Sequence, residues 1–223
     1  MIATTGGKAP SANRFPMIGL AIHTSSPALG LALSDFEQIT RTQTWNFGRD
    51  LSMHLHTTLA DFVQPYAWAD LSFLAVARGP GGFTGTRIGV VTARTLAQQL
   101  NIPLFGVSSL AALAQSVVEQ RPDLDPATVL AVDLKAQREM RFTALYQPTP
   151  DGLKTLQAEQ VVSPAQWQQT LAEFSGPIQA VTATEDMAQT VTQVLSLAYQ
   201  DWQAGHRPHW AEVVPYYGQH PVD

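Results

Sequence analysis

The chain contains no cysteine. Disulfides and thiolate chemistry are therefore excluded, the compartment is left open, and the six histidines become the main candidates for holding a transition metal. Charge is also scarce. Asp, Glu, Lys and Arg make up 14 % of the residues, acidic side chains outnumber basic ones 18 to 13, and no block of Lys or Arg forms a stripe. A net charge of −5 without such a stripe offers no footprint for a phosphate backbone, so tight RNA binding by this chain alone is not expected. Long apolar runs are missing too. None approaches the ~20 residues that span a bilayer, and no membrane contact is expected. Residues 1–16 are small and polar, with Lys8 and Arg14 but without the apolar core of a signal peptide, and read as a flexible tail. What remains is 223 residues at 45 % hydrophobic content, enough for one large domain or two small lobes with real cores.

The stretch from Gly79 to Ala114 organises the rest. Before it, Leu71–Ala77 is a short apolar run compatible with a buried strand. Gly79, Pro80, Gly81 and Gly82 then reverse the chain, Pro80 presetting φ and the glycines admitting a closely approaching backbone. A helix is predicted from near Thr84 to Leu100, capped by Thr84 or Thr86 and stopped before Pro103. Along it Gly85, Gly89, Ala93 and Ala97 recur every four residues and line up as one shallow groove. Glycine inside a helix costs about 1 kcal/mol relative to alanine, so the groove marks close packing, against either this protein's own sheet or another protein. Phosphate binding at this turn is not supported by the spacing: Gly79, Gly81, Gly82 and Gly85 make neither GxGxxG nor GxxxxGK[ST].

Upstream, Met17–Ile22, Leu29–Leu33 and Ile39–Phe47 read as strands, the first two joined by the hydroxyl-rich turn His23-Thr24-Ser25-Ser26-Pro27. Leu51, Leu55, Leu59 and Phe62 form the apolar stripe of a helix over Asp50–Val63. His54 and His56, two apart on that helix, point in different directions and cannot share a metal. Downstream, Leu104–Val107 is a short strand and Ser108 the N-cap of a helix over Leu110–Glu119. The acidic turn Asp123–Pro126 marks a boundary, after which Thr128–Asp133 repeats the strand that opened the first half. Strands over Met140–Tyr146, Leu153–Val162 and Ile178–Val181 and helices over Pro164–Phe174 and Glu185–Trp202 complete the pattern. The organisation expected is a tail at 1–16, a lobe at 17–121, a smaller lobe at 122–205 and a second tail at 206–223. In that second tail His206 and His209 lie close, without a third ligand nearby.

Gly79-Pro80-Gly81-Gly82-Phe83-Thr84-Gly85-Thr86-Arg87-Ile88-Gly89, followed by Val107-Ser108-Ser109-Leu110-Ala111-Ala112-Leu113-Ala114, resembles the signature of the bacterial TsaB (YeaZ) family, roughly GPGSFTGLRIG and then GVSSLEALA. The resemblance covers about Met17 to Asp133 well and the remainder loosely. It implies an α/β fold of the actin/Hsp70/sugar-kinase type (ASKHA), with two lobes and the second reduced. It also implies a non-catalytic scaffold that pairs with its paralogue TsaD, the transferase acting on N6 of adenosine 37 in tRNAs reading ANN codons, alongside a TsaE-like ATPase. Under that reading tRNA is reached only through the complex, and ATP and threonylcarbamoyl-adenylate are used by the complex. No cofactor or metal is held by this chain alone, the setting is cytoplasmic, and homodimerisation of the free chain is left open.

Two departures bear on chemistry. The family's first turn usually reads AIDTS, and hydrolytic members of the fold use that Asp near a metal; here the position is His23, whose neutral imidazole offers no hard anionic oxygen to Mg²⁺. Asp133-Leu-Lys-Ala-Gln-Arg138 stands where a DAR-type turn is common. TsaD proteins carry two metal-binding histidines in a sequence like VNHMEGH, and aligning it with Val107–Leu113 puts Ser109 and Leu113 in their places. The alternative readings are a nucleotide-binding, kinase-like enzyme or, less favoured, a metallopeptidase, for which neither HExxH nor a GxSxG nucleophile elbow is present. A partner surface is expected on the helices Ser52–Phe62 and Thr84–Leu100, carried by Leu55, Gly85, Arg87, Gly89, Ala93, Arg94 and Ala97.

Overall fold

Short apolar runs open each half of the chain, and both become the central strand of a sheet. The structure is a computed structural model and describes residues 17–150, 152–184 and 186–218; the tail expected at 1–16 lies outside the described residues. In order come β1 (Ile18–His23), β2 (Ala28–Ser34), β3 (Thr40–Asn46), α1 (Leu51–Val63), β4 (Leu71–Ala77), α2 (Phe83–Leu100), β5 (Leu104–Val107) and α3 (Ser109–Gln120). Then follow β6 (Val129–Lys135), β7 (Arg141–Thr149), β8 (Gly152–Val162), α4 (Pro164–Glu173), β9 (Ile178–Thr182) and α5 (Val191–Gln203). The described residues form a five-stranded sheet ordered β3-β2-β1-β4-β5 and a four-stranded sheet ordered β8-β7-β6-β9. In both, the first three strands are antiparallel and the next one returns parallel to the first, after a helix. The two halves thus repeat one ββαβ plan with an extra leading strand.

The central strands are buried on both faces, and alternate side chains enter two different cores. On the first sheet Leu20 and Ile22 of β1 face α1 and α2, and join Leu31, Leu55, Leu59, Val90, Ala93 and Ala97 in one core. Ala21 points the other way, with Ala32 and Ala75, onto α5. Ala21, Ala32 and Ala75, set beside the larger Phe73 and Phe105, leave room for the stripe Val191, Val194, Leu195 and Ala198 of α5. Here the structure departs from the division expected from chain order: α5, counted with the second lobe, packs on the first. Its apolar stripe finds its complement there. The edge strand β3 reads Thr-Arg-Thr-Gln-Thr-Trp-Asn and is largely exposed, polar side chains blunting an open sheet edge.

α2 begins at Phe83, and its N-cap is Gly82 rather than Thr84 or Thr86, with Thr86 N–H donating to Gly82 O at 2.9 Å. Thr86 is buried, which removes it from a capping role. The question left open by the small-residue groove is decided inward. A Cβ on Gly85 would overlap the carbonyl oxygen of Thr24, and one on Gly89 would overlap Thr24 Oγ1. The turn between β1 and β2 lies in this groove, held by Thr24 Oγ1 donating to Gly85 O at 2.8 Å and by Gly82 N–H donating to Ser25 O at 2.8 Å. Further along, Ala93 and Ala97 continue the same ridge into the core. Asn101, with φ of +53°, closes the helix by donating its N–H to the carbonyls of the last turn.

The stretch expected as a tail from residue 206 packs, through residue 218, against both halves. Pro208 O accepts from Leu104 N–H at the edge of β5, and Val213 enters the first core. Gly85→Ala should destabilise the protein by about 1–3 kcal/mol through overpacking. At an unconstrained helical site the same change gains about 1 kcal/mol, so the sign is diagnostic. Chemical denaturation checks it, and a Gly85→Ala protein more stable than the parent would show that the turn is not seated there.

Candidate functional site

β1, β4 and β5 run parallel and end along one edge of the first sheet, at His23 and just before Arg78 and Ser108, while Asp133 lies near the end of β6 in the second sheet. His23 ends β1 and is fully buried. Its Nδ1 accepts from Ser25 N–H at 3.4 Å, which places the proton on Nε2, and Nε2 finds no hydrogen-bond partner among the described residues. Burial lowers its pKa to about 3, so the ring is neutral at ordinary pH. A neutral, sealed imidazole cannot attract a metal–phosphate group or shuttle a proton to solvent. Asp133 holds the corresponding place on β6. Its carboxylate accepts from Thr182 Oγ1 at 2.9 Å and from the Arg141 guanidinium, so both oxygens are engaged in tying β6 to β9 and β7.

Ser108 caps α3 by accepting from Leu110 and Ala111 N–H, and also meets the Tyr146 hydroxyl at 3.3 Å. Burial, reinforced by Glu159, pushes that hydroxyl well above the ordinary phenol range. Ser109, aligned with the first TsaD histidine, is fully buried, and its Oγ lacks a partner among the described residues. Leu113, aligned with the second, packs half-buried against the second sheet. The neighbouring side chains Leu110 and Ala114 pack with Leu130 and Val132 of β6. Among the described residues no three His, Cys, Asp or Glu side chains come together as a metal site. His206 instead meets Asp201 at 3.3 Å, and His209 accepts from Ala211 N–H.

Arg78, Glu159 and Tyr216 close the joint between the lobes. Arg78 follows β4 and donates to both carboxylate oxygens of Glu159 on β8 at 3.1 Å, while its guanidinium lies 5.6 Å from the centre of the Tyr216 ring. No local sequence signal singles out these three, because the interaction joins residues 81 positions apart.

The residues expected on a partner surface divide sharply. Leu55, Ala93 and Ala97 are buried against this protein's own sheet, and Gly85 and Gly89 face Thr24. Arg94 is half-buried, its guanidinium 5.8 Å from the Trp210 ring. Of the set, Arg87 is the exposed one. The signature loop divides in the same way: Gly79 and Pro80 are buried, Gly81 is half-buried on Ser25, and Gly82, Phe83 and Thr84 are exposed. The physical reason is that the small residues that let a neighbour approach are already filled by the turn at Thr24. Of the large apolar side chains facing solvent on the same two helices, Phe83 of α2 meets the Tyr217 ring, which leaves Met53 of α1, 74 % exposed, and Val91 of α2, 53 % exposed. Each stands off its helix's core stripe, and that misplacement was the signal available in the sequence.

The folded chain refuses a proton at His23 until about pH 3, while the unfolded chain accepts one near 6.5. Because the folded pKa is depressed, this contribution to stability is intact above 6.5 and is lost as pH falls toward 3, at about 1.4 kcal/mol per unit. In His23→Asn the amide oxygen replaces Nδ1 as acceptor and nothing titrates. Urea titrations at about pH 7 and about pH 4.5 should show a stability loss smaller than the parent's by roughly 2–3 kcal/mol. An unchanged acid loss would place the titrating group elsewhere.

A family model described as TsaD, tRNA N6-adenosine threonylcarbamoyltransferase, matches residues 62–205. A tRNA threonylcarbamoyladenosine biosynthesis protein TsaB from Bacillus subtilis is 34 % identical over 163 residues, 71 % of this chain and 68 % of that one. Its Escherichia coli namesake is 32 % identical over 108 residues, 48 % of this chain and 45 % of that one. Among solved structures, YeaZ from Pseudomonas aeruginosa aligns over 90 % of this chain and 99 % of its own at a TM-score of 0.72 and 22 % identity. A second structure, described as an uncharacterized protein with similarity to peptidase YEAZ from Pseudomonas aeruginosa, covers 91 % of this chain and 100 % of its own at 0.74 and 23 %. These two show the fold, the two-sheet α/β architecture of the actin/Hsp70/sugar-kinase type. With the family model covering most of the chain and the Bacillus relative spanning the signature, the chain belongs to the TsaD family as a member of its TsaB (YeaZ) branch.

Proposed function

We propose that this chain is a non-catalytic partner subunit in tRNA threonylcarbamoyladenosine biosynthesis. In this reading it pairs with a TsaD-like transferase, alongside a TsaE-like ATPase, for N6-threonylcarbamoylation of adenosine 37 in tRNAs reading ANN codons. The observation that carries it is the sealing of the positions where chemistry would sit. Ser109 and His23 are fully buried, and Leu113 is packed against the second sheet. The names of the relatives supply the pathway. ATP and threonylcarbamoyl-adenylate then belong to the assembled complex, and tRNA, which a chain of net charge −5 attracts poorly, is held through the partner.

The pairing surface is assigned to the outward faces of α1 and α2, which cover the same side of the first sheet. Met53 and Val91 provide apolar anchors there, and Arg87 beside Val91 provides a charge that sets orientation. A stable interface needs about 1,200–2,000 Å² in total, which is why both helices are required.

Met53→Glu combined with Val91→Glu should leave the far-UV circular dichroism and thermal melt of the free chain unchanged, since both side chains are in water. The same pair should weaken association with the TsaD-like partner by at least about tenfold, about 1.4 kcal/mol. Ala93→Glu should instead unfold the free chain by burying a charge in the core. Pull-down with the partner, followed by tRNA modification assays with each component omitted in turn, reads the outcome. Normal association of the double variant would move the interface elsewhere. Turnover by the pure chain alone would overturn the non-catalytic reading.

A further inference from the structure

The segment after α5 makes more contact between the lobes than a connector requires. Val213 is anchored in the first lobe, where a Cβ on Gly106 would come within 2.8 Å of it. Three residues on, Tyr216 N–H donates to Arg78 O at 2.7 Å, an attachment to the end of β4. The Tyr216 hydroxyl donates to Glu159 O at 2.7 Å, an attachment to β8 of the second lobe. Its ring meets Phe142 of β7 edge-on at 6.4 Å. Gly218, with φ of +62°, lies against the same hairpin, where a Cβ would come within 2.6 Å of Phe142 and Val161. Between these points Tyr217 turns back to the first lobe, its ring 4.4 Å from Phe83.

Beneath the segment, the two lobes are tied directly by the Arg78–Glu159 pair. Glu159 is only 9 % exposed in its side chain and accepts both guanidinium bonds from Arg78, which is 30 % exposed. The first glycine of the signature loop belongs to this arrangement. Gly79 has φ of +99°, which favours glycine, and a Cβ there would come within 2.6 Å of Tyr216 O. Gly81 and Gly85 of the same loop serve a different neighbour, the Thr24–Ser25 turn.

We propose that Val213–Gly218 is an interlobe clasp: with Arg78 and Glu159 it fixes the angle between the two lobes, and its release lets that angle change. The apolar face of α3 also bridges the joint, Leu110 and Ala114 packing with Leu130 and Val132 of β6, and the clasp adds directional polar bonds to that contact. The chain itself crosses between the lobes after α3 (Ser109–Gln120), ahead of β6, and again after β9 (Ile178–Thr182), ahead of α5. The clasp spans the joint separately from these crossings and makes hydrogen bonds to both sides. This inference concerns the free chain and stands apart from the choice of partner.

The absence of cysteine allows a direct test, since two introduced cysteines label uniquely. Ala60→Cys on α1 and Gln168→Cys on α4 are exposed positions, one in each lobe. With spin labels at both, the parent should give one narrow distance distribution by pulsed electron resonance. Adding Glu159→Gln and Tyr216→Phe removes the charge pair and the hydroxyl bond while keeping shape, and should broaden the distribution or add a displaced population. A distribution identical to the parent's, in protein whose circular dichroism is unchanged, overturns the clasp. Should that variant fail to fold, Glu159→Gln alone decides: a broadened distribution supports the clasp, and the parental one overturns it.

Discussion

The close seating of the β1–β2 turn in the groove of α2 is the constraint on which most of the molecule depends. It brings Thr24 and Ser25 against backbone bare of side chains at Gly81 of the loop and at Gly85 and Gly89 of the helix. Only that proximity allows Thr24 Oγ1 to reach Gly85 O and Gly82 N–H to reach Ser25 O. Two glycines inside a helix are locally unfavourable, and the contacts that they permit offset the cost. The signature loop is in this sense a packing device before it is anything else.

The consequences reach the chemistry. With the turn pressed onto α2, His23 is carried inside, where burial keeps the ring neutral. The second half repeats the same strand plan, and its aspartate at the matching position is spent on Thr182 and Arg141. The ends of β1 and β6 are thus turned to internal bonding. α5 belongs to the first lobe by packing and to the second by sequence, because its apolar stripe meets Ala21, Ala32 and Ala75 of the first sheet.

The two outer helices show one element serving two masters. Their inner faces are complete, Leu55 and Leu59 on one and Val90, Ala93 and Ala97 on the other meeting Leu20 and Ile22. Their outer faces keep Met53 and Val91 in water. An apolar side chain left exposed on a helix whose core stripe is already satisfied contributes nothing to the fold of the free chain, which is why these two carry the argument for a partner.

Periodicity and turn chemistry by themselves determined the element order, because strands and helices announce themselves over a few adjacent residues. Leu71–Ala77 and Leu104–Val107 appear as strands with the bounds expected, and Ser108 caps α3 as its position foretold. The groove of Gly85, Gly89, Ala93 and Ala97 was equally visible. What fills it was not, since a stripe of small residues is compatible with any close neighbour, and only the path of the chain through Thr24 selects one. The same holds for Leu55, whose place on an amphipathic helix says that it is covered without saying by what. Arg78, Glu159 and Tyr216 lay beyond any local reading, because a hydrogen-bonded ion pair across 81 positions leaves no periodic trace. Local propensity is written in neighbours along the chain, whereas burial and pairing are properties of neighbours in space, and those exist only once both sheets have formed.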